Sequence, residues 1–193
     1  MSPTLLFTLS LAVTLSASIG VGLMRRFALH RAILDIPNER SSHITPTPRG
    51  GGLPVVVVIL ATLLFTRGQF PGEDQLGLVM MTGGALIAMI GWLDDCYHLS
   101  AALRFSCQLL VSVLAVALLS PADAGWLEKA FQVLIVAWSI NFYNFMDGID
   151  GLAGTEAVMA GFAGVGLAWH FGSGFILLPL LLASSALGFL WWN

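Results

Sequence analysis

Long apolar runs broken by short polar clusters set the pattern of this 193-residue chain. Stretches 5–24, 50–66, 75–93, 105–122 and 130–146 contain no charged residue, and each approaches or reaches the ~17–20 apolar residues that a membrane-spanning helix needs. Beyond Asp150 the only charged residue before Asn193 is Glu156. That stretch is too long for one span, and HFGSG at 170–174 supplies a turn, dividing it into helices near 153–169 and 175–193. The pattern predicts an all-α, polytopic membrane protein with about seven transmembrane helices, forming one integral membrane domain over residues 1–193.

Composition agrees and excludes a soluble domain. Hydrophobic residues make up 57% and charged residues 10%, where a soluble domain carries about 25% charged residues. The net charge of -3 matters less than where the charges fall. Arg25, Arg26, Arg31, Arg40 and Arg49 lie between the first and second runs, and Arg104 lies between the third and fourth. The alternate loops hold only Arg67 and Lys129. This bias puts the first long loop in the cytoplasm and the N-terminus outside. The leading run is a retained helix rather than a cleaved signal, because MSPT has no basic segment and Arg25-Arg26 follows the apolar part. Cys96 and Cys107 have no metal or redox spacing and read as buried free thiols.

With that orientation the polar motifs share one face: LDIPNERSSHITPTPRGGG (34–52), GWLDDCYHLSAALR (91–104) and NFYNFMDGIDGLAG (141–154). The opposite loops are short and plain. Asp94 and Asp95 close the third helix, where the helix dipole disfavours carboxylates unless a cation compensates. Neighbouring helical residues point about 100° apart, so one carboxylate can reach a metal or substrate while the other holds a base or takes a proton. Taken alone, the pair would read as a solvated helix end. Asn141, Asn144 and Asp147 share a broad helical face that ends near Gly148, with Asp150 on the loop after it. Amides and carboxylates at that depth normally face a cavity or a bundle interior. Their oxygens suit Mg²⁺, and the amide N–H groups suit phosphate or sugar oxygens. A polar cap between helices is the plainer reading, but four such residues exceed what a cap needs. DGIDG lacks the ligand spacing of an EF-hand. In the first loop Arg40, His43 and Arg49 can neutralise phosphate, and Gly50-Gly51-Gly52 permit close backbone approach. By itself that loop would be a simple positive-inside loop.

Together, RSSHITPTPRGGG, GWLDD and NFYNFMDGIDGLAG, in that order, closely resemble the polyprenyl-phosphate N-acetylhexosamine-1-phosphate transferases. Because His98 and Leu99-Ser100 follow the aspartate pair where the peptidoglycan branch usually has a lysine, the resemblance is to the branch initiating O-antigen and enterobacterial common antigen. It implies transfer of N-acetylhexosamine 1-phosphate from a UDP-sugar to undecaprenyl phosphate, with release of UMP. Mg²⁺ is the implied cofactor, and Mn²⁺ suits the same ligands. Asp94, Asp95 and Asp147 would be catalytic, with Asp94 and Asp147 the metal ligands. Asn141, Asn144, Asp150, His43, Arg49 and Arg104 would contact substrate. The expected partners are a UDP-N-acetylhexosamine, undecaprenyl phosphate and the lipid bilayer of the bacterial inner membrane, with a homo-oligomer allowed and no nucleic acid. Members of that family have more spanning helices and further polar loops, so the resemblance implies an N-terminal fragment, one expected to be inactive alone. The rival readings are an ion-coupled transporter, an intramembrane aspartyl protease, and a nonfunctional or regulatory half-transferase that still folds or associates. The first two place their acidic groups nearer the middle of the bilayer.

Overall fold

The computed structural model describes residues 2–36, 46–68, 74–146, 149–172 and 175–193. Helix α1 (Pro3–Arg31) starts where the Ser2 hydroxyl accepts the Leu5 N–H at 3.3 Å. Pro3 sits in its first turn, where a missing N–H costs nothing. The helix ends at Ala32, whose φ of 53° turns the chain out. A short antiparallel ladder follows, β1 (Leu34–Asp35) with β2 (Thr47–Pro48), pairing Leu34 with Pro48 and Asp35 with Thr47. Next come α2 (Gly52–Phe65), then α3 (Asp74–Val79), a π-helical turn at Met80–Gly84 and α4 (Ala85–Tyr97). These last three form one continuous rod. Helices α5 (Ala101–Leu119), α6 (Trp126–Met146), α7 (Leu152–His170) and α8 (Leu177–Leu190) complete the chain.

The fold is that of an all-α membrane protein. Pro3–Arg31, Gln75–Tyr97, Ala101–Leu119 and Leu152–His170 are long and apolar enough to cross a membrane. The helices α2 and α8 are equally apolar but have 14 residues each, a rise of about 21 Å against a hydrocarbon core of about 30 Å. Helix boundaries also differ from the apolar runs. Arg25, Arg26 and Arg31 ride on the last turns of α1, and Arg104 on the first turn of α5, rather than in loops. Hydropathy marks where lipid ends, whereas backbone hydrogen bonding carries a helix onward into the headgroup region.

Helix α8 packs between α1 and α7 and is the best-buried element. Leu181, Ala183 and Ser185 are fully inaccessible. In lipid, burying apolar surface gains little over contact with acyl tails, so helices associate through close packing and hydrogen bonds. Both occur here. The Ser10 and Ser184 hydroxyls lie 2.7 Å apart, and the Thr14 hydroxyl donates to the Ser184 carbonyl at 2.9 Å. Gly161 lies directly against Ala183 and Pro179, and Gly188 against the Thr14 carbonyl. Val13, Leu63, Leu177 and Leu181 form an apolar cluster joining α1, α2 and α8. On the far side α6 packs mainly on α5. Its aromatics Trp126, Phe131, Trp138 and Phe145 are 65–77% exposed, which suits a face turned to lipid.

The tightest contact gives a stability test. A Cβ at position 188 would stand 2.4 Å from the Thr14 carbonyl oxygen, whereas one at Gly166 meets nothing within 4 Å. Gly188→Ala is expected to destabilise the detergent-solubilised protein by about 1–3 kcal/mol, the usual overpacking cost. Gly166→Ala should be neutral or slightly stabilising. Thermal unfolding of both variants checks this.

Candidate active site

A cavity of about 610 Å³ opens at the end of the bundle where α1 and α4 finish and α2 and α5 begin. The hairpin contributes Asp35 and Thr47, and the residue after it contributes Arg49. Asp94 and Asp95 come from the last turn of α4, Arg104 from the first turn of α5, Asn144 from the end of α6 and Asp150 from the following turn. Arg25 enters from α1. The three polar stretches of the sequence therefore surround one space.

Local structure explains how each group arrives there. The pairing of β1 with β2 brings Asp35 beside the strand that leads to Arg49, and the Arg49 N–H donates to the Ile33 carbonyl at 3.1 Å. The Arg49 guanidinium then donates to the Asp35 carboxylate. Its other terminal nitrogen stands 4.0 Å from Asp95. Burial alone would lower the Arg49 pKa, but the hydrogen bond to Asp35 and the charges of Asp35, Asp95 and Asp94 together raise it, so it stays protonated. Asp94 is met differently. His98 closes α4 with φ 53°, and the Ser100 hydroxyl caps α5 by accepting the Leu103 N–H at 3.3 Å. This tight corner turns Arg104 back, and its guanidinium donates to Asp94 at 2.6 Å. The adjacent aspartates thus pair with separate arginines, as their angular separation on a helix predicts.

The glycine triplet has a different use from the one its sequence implies. Gly50 has φ +87°, and a Cβ there would lie 2.7 Å from both Met24 and Trp92. At Gly51 a Cβ would meet Phe189 at 2.9 Å. Two of the three glycines therefore admit protein side chains, and only Gly52 faces open space. Trp92 packs tilted against Phe27, with ring centroids 6.4 Å apart. On the opposite wall the Asn193 side chain accepts the Gly151 N–H at 2.5 Å, and Trp192 donates to the Ser18 carbonyl at 2.8 Å. These bonds tie the turn carrying Asp150 to α8 and α1.

Of the residues singled out in the sequence, Asp94, Asp95, Asn144, Asp150, Arg49 and Arg104 line the cavity. Asn141 is exposed and does not line it. His43 and Asp147 lie outside the described residues. Asp35, Arg25 and Trp92 line the cavity without having been singled out. Asp35 is the first acid after α1, which was its only signal, and Arg25 was read as a topology marker alone.

The profile of glycosyl transferase family 4 matches residues 77–193, more than half of the sequence. The chain belongs to that family. It is 30% identical over 184 residues to a Bacillus subtilis protein named probable undecaprenyl-phosphate N-acetylglucosaminyl 1-phosphate transferase, covering 89% of this chain and 51% of that one. A decaprenyl-phosphate N-acetylglucosaminephosphotransferase of Mycobacterium tuberculosis is 30% identical over 203 residues, covering 88% and 49%. A phospho-N-acetylmuramoyl-pentapeptide-transferase of Frankia casuarinae is 32% identical over 208 residues, covering 79% and 58%. The chain spans about half the length of the curated relatives it matches. No solved structure gives a significant match.

The family member's cavity is chemically suited to a divalent cation. Four described carboxylates (Asp35, Asp94, Asp95, Asp150) face three guanidiniums, and Asn144 adds an amide oxygen. Among the described residues no three acidic, histidine or cysteine side chains gather into a closed cage. Carboxylate and amide oxygens are the donor types that a hard divalent cation takes. The geometry also makes a prediction about the cavity's frame. Gly50→Ala combines a left-handed backbone, costing about 1–2 kcal/mol, with a collision against Trp92. A lowered unfolding temperature and a shifted tryptophan emission are expected, and unchanged values for both would contradict the packing described.

Proposed function

We propose that this chain forms the phosphate-handling face of a transferase that moves N-acetylhexosamine 1-phosphate from a UDP-sugar to undecaprenyl phosphate. The observation that carries the reading is the cavity itself, where carboxylates and guanidiniums alternate at the end of an apolar bundle. A lipid acceptor needs its tail in the bilayer and its phosphate at the boundary, and a nucleotide sugar needs an opening to water. A cavity at the end of a bundle serves both. A transporter or an intramembrane protease would instead need acidic groups near the bilayer midplane.

The reaction forms a bond from an acceptor phosphate oxygen to the sugar-linked phosphorus of the donor. The bond from that phosphorus to the bridging oxygen breaks, and UMP leaves with the electron pair. Such chemistry depends on positioning and charge neutralisation more than on covalent help from the protein. Bound Mg²⁺ would neutralise diphosphate oxygens, held by Asp94 or Asp95 with Asp147 of the adjoining motif. Arg104 holds the Asp94 carboxylate in place, and Arg49 stands between Asp35 and Asp95. Asn144 and Asp150 present hydrogen-bonding groups to the nucleotide or sugar. The reading sets this face in the cytoplasm, seven helical columns in the inner membrane and the N-terminus outside, as the arginine distribution favours. Two of the three relatives are named for N-acetylglucosamine. His98, following the aspartate pair where the peptidoglycan branch usually has a lysine, favours an O-antigen or common-antigen role over peptidoglycan.

The test is Mg²⁺-dependent release of UMP from a panel of UDP-N-acetylhexosamines in the presence of undecaprenyl phosphate. It is run with the chain itself and with the chain joined to the C-terminal half of the Bacillus subtilis relative. Release from UDP-N-acetylglucosamine is expected from the joined form, abolished by EDTA and reduced at least a hundredfold by Asp94→Asn, Asp95→Asn or Asp147→Asn, the scale of losing an essential charge. Membrane insertion should be unchanged. No release from either form, or full turnover in all three variants, contradicts the proposal.

A further inference from the structure

The cavity holds one arginine that its ion pairs leave over. Among the described residues Arg104 is bonded to Asp94, and Arg49 to Asp35 with Asp95 nearby. Arg25 lines the same cavity, is exposed, and makes no salt bridge or hydrogen bond among the described residues. A guanidinium stays charged at every working pH and presents a fork of donors that matches phosphate oxygens. The two paired arginines are already committed to carboxylates, so an incoming anion must compete for them. Arg25 requires no such exchange.

Its height selects the kind of phosphate. The charge-free run of α1 covers residues 5–24, and Arg25 is the first residue past it on the same continuous helix. That position corresponds to the headgroup level, where a lipid phosphate must lie because its tail occupies the hydrocarbon. The cavity wall beside it includes Val21, one turn deeper on α1, and Phe189 and Trp192 from the end of α8. Arg25 therefore stands where apolar wall meets charged cavity. The hairpin, Asn144 and Asp150 supply further polar groups to the same lining.

Resting on the function proposed above, we infer that Arg25 receives the phosphate of the lipid acceptor and holds it at the cavity edge. It is a substrate-binding residue specific to the acceptor and does not contact the donor diphosphate. Arg26 provides the natural comparison: it is exposed at nearly the same height on α1 but does not line the cavity. General attraction of an anionic lipid to a basic helix end would involve both residues, whereas a built phosphate contact involves only Arg25.

The experiment measures binding of undecaprenyl phosphate and, separately, of UDP-N-acetylglucosamine with Mg²⁺ to the purified full chain in detergent. It compares the unaltered chain with Arg25→Ala, Arg25→Lys and Arg26→Ala. Arg25→Ala is expected to weaken acceptor binding roughly tenfold, the scale of one charge-assisted hydrogen bond, and to leave donor binding unchanged. Unchanged donor binding also shows that the variant is folded. Arg25→Lys should recover part of the loss, and Arg26→Ala should lose little. Equal losses at Arg25 and Arg26 would reduce the effect to surface charge and overturn the assignment. So would undiminished acceptor binding, or a loss confined to the donor, in Arg25→Ala. If neither the unaltered chain nor its form joined to the C-terminal half of the Bacillus subtilis relative binds either ligand, the transferase reading falls as well, which separates the two failures.

Discussion

A carboxylate in the last turn of a helix faces the negative end of the helix dipole, and at a membrane boundary it also loses part of its hydration. Asp94 and Asp95 occupy such a place, next to each other. The cavity can exist because two arginines from different elements reach them, Arg104 across the α4–α5 corner and Arg49 from the hairpin end. That single requirement explains much of the local architecture. It calls for the His98 turn, the Ser100 cap and the β1–β2 pairing, each of which brings a guanidinium to a particular carboxylate.

These pairs lie in partly exposed positions, with side chains 17–31% accessible. Exposed pairs contribute little to stability because solvent screens them. Their value here is positional: they fix where the carboxylate oxygens point, which is what the proposed phosphoryl transfer would ask of this site. Stability comes from elsewhere, from the close seating of α8 between α1 and α7 through glycine, serine and alanine. The two tasks meet at the end of α8, where Trp192 and Asn193 bond to Ser18 and Gly151 and so join the packed core to the cavity wall.

Much of this was legible in the sequence. The apolar runs gave the helices, because a membrane span has a simple compositional signature. The three polar stretches pointed to a shared cavity, because polar groups at lipid depth are costly unless they gather around one. Helix ends were less legible: Arg25 and Arg104 are helical although they fall outside the charge-free runs. Asp35 was missed because a two-residue strand has no periodicity to read. The glycine triplet showed that the backbone needed room, but could not show that Met24, Trp92 and Phe189 would take it. The central place of α8 depends on partners distant in sequence, which no local pattern encodes.

The central claim is that three separated stretches form one ligand-binding cavity at a single end of the bundle. Hydrogen–deuterium exchange of the chain with and without UDP-N-acetylglucosamine and Mg²⁺ tests it most directly. The account predicts slower exchange together in segments 46–53, 92–100 and 144–152, and no change at the opposite end around 120–126. Protection confined to one of the three segments, or centred on the opposite end, would contradict it.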